Sequence, residues 1–301
     1  MFRTIPLLAL LSLPAWPANG PIQEASAPAI VGQAMPGFYD GYLYSAEPRH
    51  MLTLFAPDGH ELFSLPIQGH GNGQVAVESV AVDTDGTLAV AWRDSPNAGI
   101  DIRDLSGTLV RSIDTGQYVP AHLSFGADHS LWALGYQRVT TKYPDQPDYP
   151  IVRKYSSDGK EAGAYLPRSL FPAGIPPGNE QWQSRRITVT ADRVGIEVFS
   201  GTKGNQREWV ELDLNGNVQG RWKLDPQNET PGVAFTSDDR AYVHRYNREA
   251  KVRQLFRLNR ATSAWDLVST PGEELYGADG DKLVFARWPD NLMILSWFPQ
   301  P

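Results

Sequence analysis

Glu78, His122, Arg185 and Glu274 pair a chemically able side chain with a shared local position. Each precedes a short apolar run: Ser79-Val80-Ala81-Val82, Leu123-Ser124-Phe125, Ile187-Thr188-Val189 and Leu275-Tyr276. Two carboxylates, an imidazole and a guanidinium brought to one point would suit acid–base work or the holding of a divalent cation such as calcium. The same four groups would also satisfy one another as a salt-bridge network. Everything then depends on whether the chain brings these four runs together.

Other routes to chemistry are closed by the residues themselves. The six histidines form no H-E-x-x-H or similar zinc spacing, so no metal centre of that kind is expected. There is no G-x-S-x-G elbow, and a chain without cysteine has no thiol nucleophile. Gly69-His70-Gly71-Asn72-Gly73 has the composition of a phosphate cradle, but no helix follows to complete one, and it reads as a flexible connector. Asn228-Glu229-Thr230 matches a glycosylation sequon, a weak signal by itself.

The elements that must position these residues repeat. An apolar run ends in a turn and a second apolar run follows, with turns at Asp40-Gly41, Asp85-Gly86, Asp128-His129, Asp192-Arg193, Asp239-Arg240 and Gly280-Asp281. Successive copies lie 40 to 64 residues apart, a spacing that fits the blades of a β-propeller. A second set of turns follows the first: Asp58-Gly59, Ser106-Gly107, Asp158-Gly159, Asn215-Gly216 and a glycine-free version near Ala261-Thr262. Each unit therefore reads as four short strands, apolar on the inner pair and alternating on the outer pair, as burial by neighbouring blades requires. The sixth copy stops after its third strand. Its open edge needs a partner, and the segment around Pro21 to Val31 is available to supply it. The expectation is an all-β chain: a six-bladed propeller of four-stranded antiparallel blades, closed by an N-terminal strand.

In that architecture the loops between second and third strands share one face with the blade-to-blade connections. This face collects Tyr136, Arg138, Trp182, Arg245, Tyr246 and Trp288, and the four residues of the opening paragraph sit beneath it, along the axis. Two long stretches, Gln137 to Pro150 and Pro167 to Gln183, fall there too, and ordered insertions on a rigid scaffold are where function tends to sit. Arginine pairs with carboxylates and phosphates, and Tyr and Trp offer stacking faces. Taken singly, such residues are ordinary in wet loops.

The first residues read as an export signal. Arg3 is followed by nine residues from Ile5 to Leu13 that are mostly apolar and too short to span a bilayer, then by small residues at Ala15, Ala18 and Ala25-Ser26-Ala27. A signal peptide over 1–18 is expected, with 27 as the other cleavage site, leaving one domain over 19–301 and a periplasmic or secreted protein. A net charge of −7 excludes nonspecific nucleic-acid binding, and no later segment is apolar enough to be transmembrane. A monomer is expected.

The units S-V-A-V-D-T-D-G-T-L-A-V-A-W and V-R-K-Y-S-S-D-G-K resemble the six-bladed propellers of the NHL-repeat and TolB-like superfamily. That resemblance implies the fold across nearly the whole chain. It implies little about activity, since the superfamily includes binding modules, lactonases and lyases. Its gluconolactonase-like branch would imply a divalent cation held in the channel, for which Glu78, Asn72 and Asn97 offer donors. That branch's motifs have no position-by-position counterpart here, so no catalytic residue is carried over. The leading expectation is a binding protein engaging a protein, peptide or glycan through its loop-rich face. The alternative is a metal-dependent hydrolase or lyase acting in the channel.

Overall fold

A computed structural model describes residues 20–28, 37–46, 51–69, 75–94, 97–138, 148–171, 186–200, 206–224, 232–289 and 292–301. Among these, 24 strands form six four-stranded antiparallel sheets. Gln23–Pro28 is β1. Blade 1 follows with Gly37–Tyr39, Tyr42–Ala46, Met51–Phe55 and Glu61–Pro66 (β2–β5), and blade 2 with Val75–Val82, Leu88–Asp94, Asn97–Arg103 and Leu109–Asp114 (β6–β9). Blade 3 is Tyr118–Phe125, Leu131–Gln137, Pro150–Tyr155 and Glu161–Pro167 (β10–β13), and blade 4 is Ile187–Val189, Arg193–Phe199, Arg207–Asp213 and Val218–Leu224 (β14–β17). Blade 5 is Val233–Phe235, Ala241–Asn247, Val252–Asn259 and Ala264–Ser269 (β18–β21), and blade 6 opens with Glu274–Asp279, Lys282–Arg287 and Leu292–Phe298 (β22–β24). One 3-10 turn, Arg168–Leu170, interrupts the pattern. No helix among the described residues is long and apolar enough to cross a membrane.

The sixth blade is completed by β1, which pairs antiparallel with β24 from Gln23↔Trp297 to Pro28↔Leu292. Glu24 fastens it, accepting from Arg287 Nη2 at 3.0 Å and Ser296 Oγ at 3.1 Å.

The turns explain themselves locally. In blade 2 the Asp83 N–H donates to Thr87 O and Gly86 N–H to Asp83 O, while the Asp85 carboxylate accepts from Thr87 N–H at 2.8 Å. Such Asx bonding closes a turn that needs a left-handed residue. Four outer turns put glycine at that position, and the glycine-free one of blade 5 uses Ser263, with φ of 54°.

The core lies between blades. Second strands are nearly continuously buried, as in β7 and β11, whereas the outermost β9 and β13 alternate. Trp92, Trp132, Trp209 and Trp297 are fully buried, one each in blades 2, 3, 4 and 6. Every indole N–H is satisfied, by Asp101, Ser130, Glu211 and Asp279 respectively, at 2.7–3.1 Å. The large apolar body is thus buried without an orphaned donor.

Candidate functional site

The innermost strands form the wall of a central channel: β2 adjoins β6 and β22, β10 adjoins β6 and β14, and β18 adjoins β22. Each turns a bare strand edge toward the axis, so its amides need partners that are not strands. Side chains of neighbouring blades supply them. Leu123 N–H donates to Ser79 Oγ at 3.2 Å, Val189 N–H to Ser124 Oγ at 3.0 Å and Phe125 N–H to the Tyr39 hydroxyl at 2.9 Å. Val80 N–H donates to the Tyr44 hydroxyl, which also bonds Ser79. Burial pushes the Tyr39 phenol well above the usual range and the Tyr44 phenol up as well, so both remain neutral hydroxyls.

Three inner strands carry a bulge at similar depth: at Glu78 in β6, Ala121 in β10 and Tyr276 in β22, where pairing skips one residue. A bulge re-aims its extra side chain. Glu78 meets Arg93, at the end of β7, in a tight ion pair, and although burial disfavours the Arg93 charge, the Glu78 carboxylate outweighs it and moves the guanidinium pKa up. Tyr276 packs edge-on against Phe38 at 5.9 Å and against Trp288 at 6.0 Å. Trp288 is 37 % exposed, so a continuous aromatic path runs from the channel wall to the rim.

Among the described residues, Arg186 brings a cation to this channel. It precedes β14 in blade 4, yet its guanidinium lies 5.9 Å from the Phe38 ring of blade 1 and against Gly277 of blade 6. Blade 1 stands across the ring from blade 4, so the side chain crosses the channel. Burial lowers its pKa, opposed by the nearby Tyr276, Glu197 and Tyr44.

The sequence candidates can now be placed. Glu78 and His122 lie within their inner strands rather than ahead of them, because β6 and β10 begin before the apolar runs do. Glu274 opens β22. Tyr136 is buried at the end of β11, where burial raises its phenol pKa, and Arg138 follows, its N–H donating to Gln117 O at 3.2 Å. Arg245 lies over the Phe256 ring at 4.6 Å, and Tyr246 pairs with Arg253 across β19 and β20. These belong to the face bearing the loops between second and third strands, as does Trp288. Arg185, Trp182, Asn72, the connector from His70 to Gly73, the sequon and the greater part of both insertions lie outside the described residues. Glu78, His122 and Glu274 do not form a metal-ligand cluster: Glu78 is engaged by Arg93, and the one such cluster among the described residues lies elsewhere. Sequence reasoning missed Arg186, Tyr39 and Tyr44. The adjacent arginines 185 and 186 were the available signal, and they do not say which of the two faces the axis.

The metal-like cluster is Asp83, Asp85 and His129, whose donor atoms lie within 4.8 Å of one another on the opposite face, between blades 2 and 3. It borders a cleft of about 140 Å³ that Arg111 also lines. His129 Nδ1 lies 2.8 Å from Asp83 Oδ2. That hydrogen bond, with the negative charge of Asp83 behind it, raises the imidazole pKa.

In sequence, no family profile and no curated protein matches the chain. In structure it is similar to hydrazine synthase from Kuenenia stuttgartiensis, with a TM-score of 0.54 at 11% identity over 94% of this chain and 77% of that one. It is also similar to a member of the duf4221 family from Bacteroides vulgatus, with a TM-score of 0.50 at 10% identity over 92% of this chain and 96% of that one. At such identities the likeness shows the fold, a six-bladed propeller, and nothing of its chemistry.

Proposed function

We propose that this protein is a noncatalytic binding module that holds a protein, peptide or glycan on the loop-bearing face around the mouth of its channel. The observation that carries this reading is the aromatic path from Tyr276 in the channel wall to the half-exposed Trp288 at the rim. A large aromatic left partly in water next to a polar mouth suits stacking on a sugar ring or an apolar peptide side chain. The export signal read in the sequence supports a periplasmic or secreted location for this module. The repeat pattern, by its resemblance to the NHL-repeat and TolB-like propellers, is compatible with a binding role. The full chain, probed against glycan and peptide arrays, should give a signal that Trp288→Ala weakens at least tenfold with unchanged thermal stability. Deleting 139–147, within the first insertion, should weaken the same signal. Array binding indifferent to both changes, or none from the unaltered protein, overturns the reading.

A further inference from the structure

We propose that the channel binds an oxyanion, a carboxylate or phosphate group of a ligand, on the guanidinium of Arg186. This goes beyond the rim reading: it rests on that face only as the way into the channel, and it stands or falls separately.

The argument starts from charge balance. A guanidinium surrounded by protein is normally paired, because an isolated buried charge is costly. Arg186 makes no ion pair with any described carboxylate. The carboxylates nearby do not pair with it: Glu78 is held by Arg93, Glu197 bonds Arg207 through Oε1 at 2.9 Å and reaches Arg186 only by its longer-range charge, and Glu274 makes no ion pair with Arg186. Burial depresses the Arg186 pKa, the charge of Glu197 offsetting only part of that, and the side chain is still partly open to water.

Geometry adds to this. The guanidinium is carried across the axis from blade 4 and seated against β22, where the absence of a side chain at Gly277 makes room for Nη1. Phe38 and Tyr276 give it a rigid aromatic wall. Burial keeps the phenols of Tyr44 and Tyr276 protonated, so this wall presents hydroxyls rather than phenolates that would compete for the cation. A planar fork of N–H donors backed by neutral hydroxyls is the chemistry that receives a carboxylate or phosphate.

Calorimetric titration of the full chain at constant ionic strength tests this, with inorganic phosphate in one arm, acetate in a second and chloride as the reference. Saturable heat with phosphate or acetate, but not chloride, is expected, and the stronger of the two arms tells which oxyanion the fork prefers. Arg186→Met should weaken that binding at least tenfold, with Arg186→Lys falling between. Arg186→Met should also leave the melting temperature unchanged or raised, because it removes a charge that burial disfavours. Trp288→Ala should leave oxyanion binding intact even where it abolishes array binding, which separates this proposal from the previous one. No saturable heat in either oxyanion arm, or binding equal in Arg186→Met and the unaltered protein, overturns the proposal. A marked loss of melting temperature in Arg186→Met, with oxyanion binding retained by Arg186→Lys at full strength, would assign Arg186 a structural role instead and also overturn it.

Discussion

Arg260 of blade 5 donates to both oxygens of the Glu211 carboxylate of blade 4, Nε to Oε2 and Nη2 to Oε1 at 2.8 Å each. Glu211 is completely buried and also accepts from Trp209 Nε1 at 2.9 Å and Arg193 Nη1 at 3.2 Å. One carboxylate therefore ties two blades together and satisfies a core indole. Glu211→Ala should destabilise the protein by about 3–5 kcal/mol, since it strands the indole, leaves Arg260 without its carboxylate and leaves Arg193 with only Asp239 at 3.9 Å. Glu211→Gln, which keeps the shape and one acceptor, should cost less. Urea denaturation measures both, and a loss near zero for Glu211→Ala would contradict the account.

A smaller change separates position from stability in the channel. An ideal Cβ at Gly277 would lie 2.1 Å from Arg186 Nη1 and 3.0 Å from Phe38 Cδ1. The arginine tip is the free end of a long side chain and can move aside. Gly277→Ala should therefore cost about 1 kcal/mol yet displace the guanidinium and reduce phosphate or acetate affinity tenfold or more. Calorimetry and thermal denaturation on the same preparation check the two halves. Full affinity in the alanine variant would mean that the seat at Gly277 is immaterial.

His244 predicts an acid weakness. It is buried in β19, and burial, assisted by the charge of Arg253, lowers its pKa from 6.5 to about 4. In the unfolded chain the ring takes up a proton near pH 6.5; in the folded protein it does not until about pH 4. Between those values the unfolded state binds more protons, so stability falls as pH falls through this window and is flat for this group outside it. The total is about 3 kcal/mol, at roughly 1.4 kcal/mol per unit. Replacing His244 with Gln should shrink the stability lost between pH 7 and pH 4 by that order, read from denaturant midpoints at both values. An unchanged loss would place the acid sensitivity elsewhere.

How much of this was legible beforehand follows from the range of the interactions. The hairpin turns and the buried second strands are set by neighbours a few residues away, so Asp85-Gly86 and the run from Leu88 to Trp92 announce a blade directly. The unfinished sixth blade was legible because a missing strand can be counted. The site was not. Strand side chains alternate, so a slip of one residue turns a channel position into another, and the Arg185-Arg186 pair gives no register. The bulges that re-aim Glu78 and Tyr276 leave no residue signature. Tyr39 and Tyr44 read as ordinary core aromatics, because their channel roles arise only when blade 1 closes against blades 2 and 3, as the bonds to Ser79 and Ser124 show.

The closing strand discriminates between the two cleavage sites expected from the sequence. Cleavage after Ala27 would remove nearly all of β1, whose six residues pair with β24 and whose Glu24 holds Arg287 and Ser296. Cleavage after Ala18 keeps it whole. An exported, folded protein should therefore begin ahead of Gln23, near residue 19, which intact mass and N-terminal sequencing of the exported product would establish. A chain made to start at residue 29 should lose on the order of 5 kcal/mol, counting about 1 kcal/mol for each strand hydrogen bond forfeited, and should associate through the bared edge of β24. Size-exclusion chromatography and thermal denaturation read those two effects. A monomeric, equally stable product starting at residue 29 would show that blade 6 does not depend on its N-terminal strand.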